Sequence, residues 1–231
     1  MFVGLVPMLN MDFAQSLTLS YDPDRWQPSP AAGVWRYPLE REAAESGHVT
    51  SLVRFQPGSV FAEHEHPLGE EFWVLEGTFS DENGDHEAGT YVRHPPGSRH
   101  SVFSRSGCMI FVKLNQFDKS DGEVKVIQEA QGLWLTGEHG FRRLSLHRYG
   151  GVNTSLLEFA DGGRFPACCY RAGLEILVIS GQLSDGKQTL GPLSWLRLAP
   201  MSVPELNAIG HTRLWVRTGH LASPMPVNQT G

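Results

Sequence analysis

Cysteine is scarce in this chain. Cys108 and the adjacent Cys168 and Cys169 are too few, and wrongly spaced, for a disulfide framework or a Cys-x-x-Cys zinc knuckle. A reducing cytoplasm suits such a chain. Long apolar runs are missing as well: no stretch approaches the roughly twenty apolar residues of a membrane span. The apolar opening from Met1 to Leu9 has no basic start and no small-residue cleavage site, and it runs into Asn10 and Asp12, so no cleaved leader is expected. Positive charge is thin too. The net charge is −6 and the basic residues are scattered, which excludes a nucleic-acid surface.

Glycine, proline and phenylalanine are plentiful, at 25, 15 and 12 of 231 residues, and they favour short strands joined by tight turns. Thr50 to Phe55, Val60 to His66, Phe72 to Leu75 and Ser101 to Leu114 read as strands, and Asp81-Glu82-Asn83-Gly84 carries a hairpin signal. A shift of 104 residues lays Ser51-Leu52-Val53-Arg54-Phe55-Gln56-Pro57-Gly58 on Ser155-Leu156-Leu157-Glu158-Phe159-Ala160-Asp161-Gly162 and Gly77 on Gly181. A shift of 107 lays Gly33-Val34-Trp35 and Leu39 on Gly140-Phe141-Arg142 and Leu146. Two copies of one unit are implied, with loops absorbing the difference. In the second, Ile176 to Ile179 and Leu193 to Leu198 read as strands around Asp185-Gly186. The division expected is an arm over 1–25, a first barrel over 26–118 and a second over 119–231, with a short helical piece near Val126 to Ala130.

Four residues of the first copy carry chemistry. Gly58, five residues, His64-Glu65-His66, three residues, Glu70, six residues and Gly77 form one framed stretch. Gly89, five residues, Pro95-Pro96-Gly97, two residues and His100 form another. Strand alternation points His64 and His66 together and sends Glu65 away. Imidazoles and a carboxylate aimed at one point suit Zn, Fe, Mn, Ni or Cu. Parity admits either Glu70 or Glu71, depending on register.

The other candidates read more plainly. His94 sits on a turn and supports a ligand at most, while His48, His86, His139, His147, His211 and His220 read as surface or satisfied core residues. Arg54, Tyr91, Arg93 and Lys113 read either as cavity anchors or as charges on a solvated face. Phe61, Phe72, Trp73 and Phe111 read as core, and Cys108 as a small buried residue.

The two framed stretches together resemble the cupin superfamily, so the fold expected is all-β: two cupin barrels, of double-stranded β-helix or jelly-roll type, about 104 residues apart. The fuller strings Gly69-Glu70-Glu71-Phe72-Trp73-Val74-Leu75-Glu76-Gly77 and Arg93-His94-Pro95-Pro96-Gly97-Ser98-Arg99-His100 resemble the cupin domain of ChrR, an anti-sigma factor for extracytoplasmic-function (ECF) sigma factors in bacteria. That family binds zinc through His, His, Glu and His. The resemblance places those roles on His64, His66, Glu70 and His100, takes Glu70 over Glu71, and implies one divalent ion per chain, zinc first, with iron, manganese or nickel as the others.

A sensor or regulatory role follows from that resemblance, with an ECF sigma factor or a small-molecule ligand as partner and a homodimer as the assembly. The family's sigma-gripping zinc domain, with its His-x3-Cys-x2-Cys pattern, is not expected here. Ring-ketone and diketone dioxygenases with similar barrels supply the alternative: an iron enzyme acting on diketones or hydroxyaryl ketones. Carried to the second copy, the ligand positions fall on Cys168, Tyr170, Leu174 and Glu205. Cys168, Tyr170 and Glu205 are then expected to converge on a second core that binds no metal.

Overall fold

The computed structural model describes residues 8–44, 46–137 and 140–221, and His139 lies outside them. Among the described residues there are eighteen strands and no α-helix. In chain order they are β1 (Leu17–Leu19), β2 (Gln27–Pro28), β3 (Val34–Arg41), β4 (Val49–Phe55), β5 (Ser59–His66), β6 (Glu70–Asp81), β7 (Gly84–Glu87), β8 (Thr90–His94) and β9 (Ser98–Ser104). There follow β10 (Cys108–Leu114), β11 (Lys125–Gln128), β12 (Trp134–Thr136), β13 (Arg142–Tyr149), β14 (Val152–Phe159), β15 (Leu174–Ser184), β16 (Thr189–Leu190), β17 (Trp195–Leu198) and β18 (Asn207–Thr218).

The chain forms two compact units, one of residues 8–11 and 22–132, the other of 12–21 and 133–221. The main strand order in the first is β11-β8-β6-β10-β4-β3-β2, and β5, β9 and β7 extend it around the barrel. In the second it is β1-β17-β15-β18-β14-β13-β12. The two orders correspond strand for strand. Each interior is apolar: Phe55, Phe72, Val74, Phe79, Ile110 and Val112 in the first, Phe159, Ile176, Val178, Leu183, Leu214 and Val216 in the second. Each such side chain contributes about 1.5–3 kcal/mol by leaving water.

The boundaries differ from those read in the sequence. The first unit runs past residue 118 because β11 pairs with the edge of β8, Lys125 opposite Arg93 and Ile127 opposite Tyr91. The helical piece expected near Val126 to Ala130 is therefore strand, followed by a 3-10 turn over Glu129–Gln131. An edge strand with unpaired backbone groups draws extended chain to it. Residues 12–21 of the expected arm do the same in the second unit, where β1 lays Leu17 opposite Arg197 and Leu19 opposite Trp195 of β17.

Gly77 and Gly181 bend the long central strands. Gly77 has φ of +70°, and a Cβ there would lie 2.0 Å from the Gly107 carbonyl oxygen. Gly181, at φ of +74°, would meet the His211 carbonyl at 2.4 Å. Left-handed strain of about 1–2 kcal/mol adds to an overpacking cost of about 1–3. Gly77→Ala is therefore expected to cost about 3 kcal/mol, read as a lower urea midpoint at unchanged slope. A midpoint equal to wild type would show that the strand bends without glycine.

Candidate metal centre

The metal-ligand candidates come from four strand positions whose pairing brings them together. β5 and β9 are antiparallel with His64 opposite His100 and His66 opposite Ser98. Gly97, at φ of +81°, turns the chain into β9 and donates its N–H to the His66 carbonyl at 2.8 Å. β6 begins at Glu70, which stands opposite His94, the last residue of β8. Alternation then buries Glu70 beside the histidines and sends Glu71 to the other side of the sheet, where it accepts from the Tyr91 hydroxyl at 2.5 Å.

His66 Nε2 lies 3.0 Å from His100 Nε2 and 3.6 Å from Glu70 Oε2, and His100 Nε2 lies 3.4 Å from the same oxygen. Ligand bonds of about 2.1 Å would set donors about 3.0 Å apart at octahedral right angles and about 3.4 Å apart in a tetrahedron. The spacing fits a divalent ion. His64 closes the group, its ring 4.7 Å from that of His66 and 4.9 Å from that of His100. Its Nδ1–H donates to the Ala62 carbonyl at 2.9 Å, which leaves Nε2 as the donor atom toward a metal.

The four candidates do not form one isolated cluster. His64, His66 and His100 form one group with donor atoms within 4.8 Å, and Glu70, His94 and His100 form another. His94 is the residue the sequence reading undervalued. It is buried, with Nδ1 3.1 Å from Glu70 Oε2 and Nε2 3.5 Å from Asp81 Oδ2. Counting residues from His100 across the Pro95-Pro96-Gly97 turn says nothing about facing, whereas pairing with Glu70 across the sheet does.

Asp81 was not singled out in the sequence, and His86, read there as a surface or satisfied core residue, is buried against it. The Asp81 side chain is fully buried, with Oδ2 3.4 Å from His100 Nδ1 and Oδ1 3.4 Å from His86 Nε2. It lies eleven residues from Glu70, so simple alternation puts it on the opposite face. A register shift in the pairing of β6 with β10, where Ile110 opposes Val74 and Met109 opposes Glu76, reverses the parity. Asp81 orients His100 so that Nε2 is presented to the other donors. Asp81→Asn is expected to weaken metal binding by roughly 10–100-fold. Competition with a chromophoric chelator checks it, and unchanged affinity would place Asp81 outside the centre's support.

Electrostatics prepare the donors. Burial and the neighbouring histidines, opposed by Glu70, push His66 down to about 4, so its imidazole is neutral at pH 7. Burial would raise Glu70, but His66 and the contact with His94 outweigh it and hold the carboxyl at about 2. Asp81 is likewise held well below the usual carboxylate range: burial is outweighed by contacts with His100 and His86. At His100 burial is outweighed by Asp81 and Glu70, and its pKa is raised. A metal ion binding there competes with protons for the His100 imidazole.

A cavity of about 590 Å³ opens against His64, His66 and Glu70. Phe55, Phe61, Phe79 and Ile110 are among its apolar walls, and Arg36 and Arg41 also line it. Neither Arg54, Tyr91, Arg93 nor Lys113 lines it. Arg54 stacks over Trp26 at 4.3 Å, Arg93 pairs with Asp121, and Lys113 donates to Thr50 at 2.8 Å. Cys108 is buried as expected, its thiol pushed up to about 11.

Residues 14–118 match the family model of the ChrR cupin-like domain. This barrel is a ChrR-like cupin. No curated protein matches the sequence. Among solved structures, the whole chain is similar to a putative glyoxylate-induced protein from Pseudomonas aeruginosa, with a TM-score of 0.72, 14% identity and coverage of 96% of each chain. A putative dioxygenase from Nostoc punctiforme is similar at a TM-score of 0.68 and 14% identity, over 95% of this chain and 84% of that one. A bacterial pirin from Escherichia coli in complex with nickel(II) is similar at 0.70 and 12% identity, over 90% of this chain and all of that one (100%). At such identities the likeness shows the fold: the ChrR-like cupin and a second barrel make a bicupin.

The second barrel corrects one expectation. Cys168 and Glu205 are exposed and do not converge on a core, while Leu174 is buried in it. Tyr170 packs against the core from the side and donates its hydroxyl to the Pro166 carbonyl at 3.3 Å. The chain over 166–170 runs outside regular strand, so the alternation assumed for Cys168 and Tyr170 does not hold there. Among the other histidines, His48 pairs with Glu40 at 2.9 Å, His211 with Glu158 at 2.6 Å and His220 with Glu175 at 3.1 Å. His147 is buried. Among the described residues no helix is long and apolar enough to cross a membrane.

Proposed function

We propose that the first barrel holds one divalent transition metal through His64, His66, Glu70 and His100 and uses it on a small organic molecule lodged in the adjoining cavity. The reaction class that suits this arrangement is oxygenation of a diketone or hydroxyaryl ketone. The observation that carries the reading is the cavity of about 590 Å³ against the donor set, space that a closed four-coordinate zinc would not need. Bound iron would supply the chemistry that activates dioxygen. The protein supplies the rest. Asp81 and His94 hold His100 and Glu70 in place, Phe55, Phe61 and Phe79 exclude water, and the Glu70 carboxylate stays ionised to balance positive charge.

A second reading, a zinc-holding sensor, is favoured by the family match over residues 14–118. In that reading an ECF sigma factor is the partner and a ligand in the cavity shifts the protein's surface. Oxygen uptake by iron-loaded protein, against a panel of diketones and hydroxyaryl ketones, separates the two. Substrate-dependent uptake that disappears in Glu70→Ala establishes the enzyme. A protein that retains zinc and consumes no oxygen when iron-loaded is the sensor.

A further inference from the structure

The second barrel has lost the ligand set but retains a cavity of about 320 Å³. Phe141, Leu157, Phe165 and Val216 make apolar walls, and Arg143 and Arg148 line the same space. Arg143 donates from Nε to Ser155 Oγ at 3.0 Å. Among the described residues its Nη atoms have no hydrogen-bond or ion-pair partner, and neither has the Arg148 guanidinium. Both arginines are exposed, so water meets their charge at little cost; what the pair offers is two guanidinium groups lining one space, a match for an anion.

The same pair occurs in the first barrel. Arg36 and Arg41 line its cavity with Ser51, and shifts of 107 and 104 residues carry these three onto Arg143, Arg148 and Ser155. Pairing repeats as well: Arg36 faces Val53 and Arg41 faces Val49, as Arg143 faces Leu157 and Arg148 faces Asn153. Residues five apart on a regular strand point to opposite faces. A register shift between Pro38 and Glu40, repeated between Ser145 and His147, brings both arginines of each pair to the cavity. The second copy has therefore changed every metal-ligand position yet kept two arginines, a serine and the bulge that aims them. A merely solvated face would need none of these to be aimed.

We propose that the second barrel is a metal-independent binding site for a small organic carboxylate, clamped by Arg143 and Arg148 with its apolar body against Phe141, Leu157 and Phe165. Planar guanidinium groups match a carboxylate's two oxygens. The apolar walls favour an aromatic or branched acid over a bare inorganic anion.

The test is calorimetric titration of the metal-stripped full chain with benzoate, with benzamide and inorganic phosphate as controls. In the first barrel Arg41 is already engaged, its Nη1 donating to the Ala44 carbonyl at 2.7 Å. The expected result is therefore saturable binding of one benzoate per chain, weakened roughly tenfold or more in Arg143→Gln and in Arg148→Gln and unchanged in Arg36→Gln. Both arginines are exposed, so the variants should keep the fold, and near-ultraviolet circular dichroism checks it. Absence of saturable binding by benzoate and by phenylacetate would overturn the proposal. So would equal binding of benzamide or phosphate, retention of affinity in both variants, or loss in Arg36→Gln. Stripping the metal first keeps the outcome separate from that of the metal-centre reading.

Discussion

Purified protein is expected to carry close to one transition-metal ion per chain, and the His100→Ala variant close to none. His100 belongs to both donor groups, with His64 and His66 on one side and Glu70 and His94 on the other. Its removal leaves either group with two donors and leaves Asp81 without the ring it orients. The loss should exceed the roughly 10–100-fold that an outer partner contributes. His64→Ala and His66→Ala should empty the site as well, though His64, half-exposed at the edge, should cost less than buried His66. The second barrel offers no substitute, since Leu174 stands where Glu70 does and Cys168 and Glu205 face solvent. Elemental analysis of protein grown without added metal reads the stoichiometry directly. Two ions per chain, or full occupancy in His100→Ala, would sink the assignment. The metal also stabilises what it binds, so wild type should unfold at a higher temperature than its stripped form and His100→Ala should show no such difference.

Local alternation made part of this site legible. His64 and His66 lie on a regular stretch of β5, so counting by twos sufficed for them, whereas parity left Glu70 and Glu71 both open and the resemblance chose Glu70. Asp81 and His94 required knowledge of pairing. A bulge in β6 reverses parity before Asp81, and the facing of His94 depends on its neighbour across the sheet rather than along the chain. The repeat was legible from 51–58 and 155–162, where strands align without insertion. It failed at Cys168 and Glu205, which lie in irregular chain where a fixed shift carries no facing information. The edge strands were hidden for a related reason. Leu17–Leu19 and Lys125–Gln128 are three and four residues long, too short to show a period, and acquire strand form only by pairing with β17 and β8.

Asp121→Ala is expected to destabilise the first barrel by about 3–5 kcal/mol, the cost of leaving a buried charge uncompensated. Arg93 is 1% exposed, and its Nη2 donates to Asp121 Oδ2 at 2.5 Å while Nη1 donates to the Glu123 carbonyl at 2.6 Å. Its guanidinium lies 3.9 Å from the Phe117 ring centre, so the segment that supplies Phe117, Asp121 and Glu123 is fastened to β8 through this one side chain. That segment leads into β11, so loosening it should also release the edge of the sheet. The comparison that isolates the charge is Arg93→Met with Asp121→Leu, which removes both partners and replaces them with apolar volume; such exchanges of a buried pair are often neutral or stabilising. The double variant should therefore recover most of the loss. Urea unfolding of the three proteins measures it, with a fall in midpoint for Asp121→Ala and near-recovery in the double variant. A change below about 1 kcal/mol in Asp121→Ala would mean that water reaches Arg93 once the carboxylate is gone, and that the segment is held by Phe117 and the β11 pairing instead.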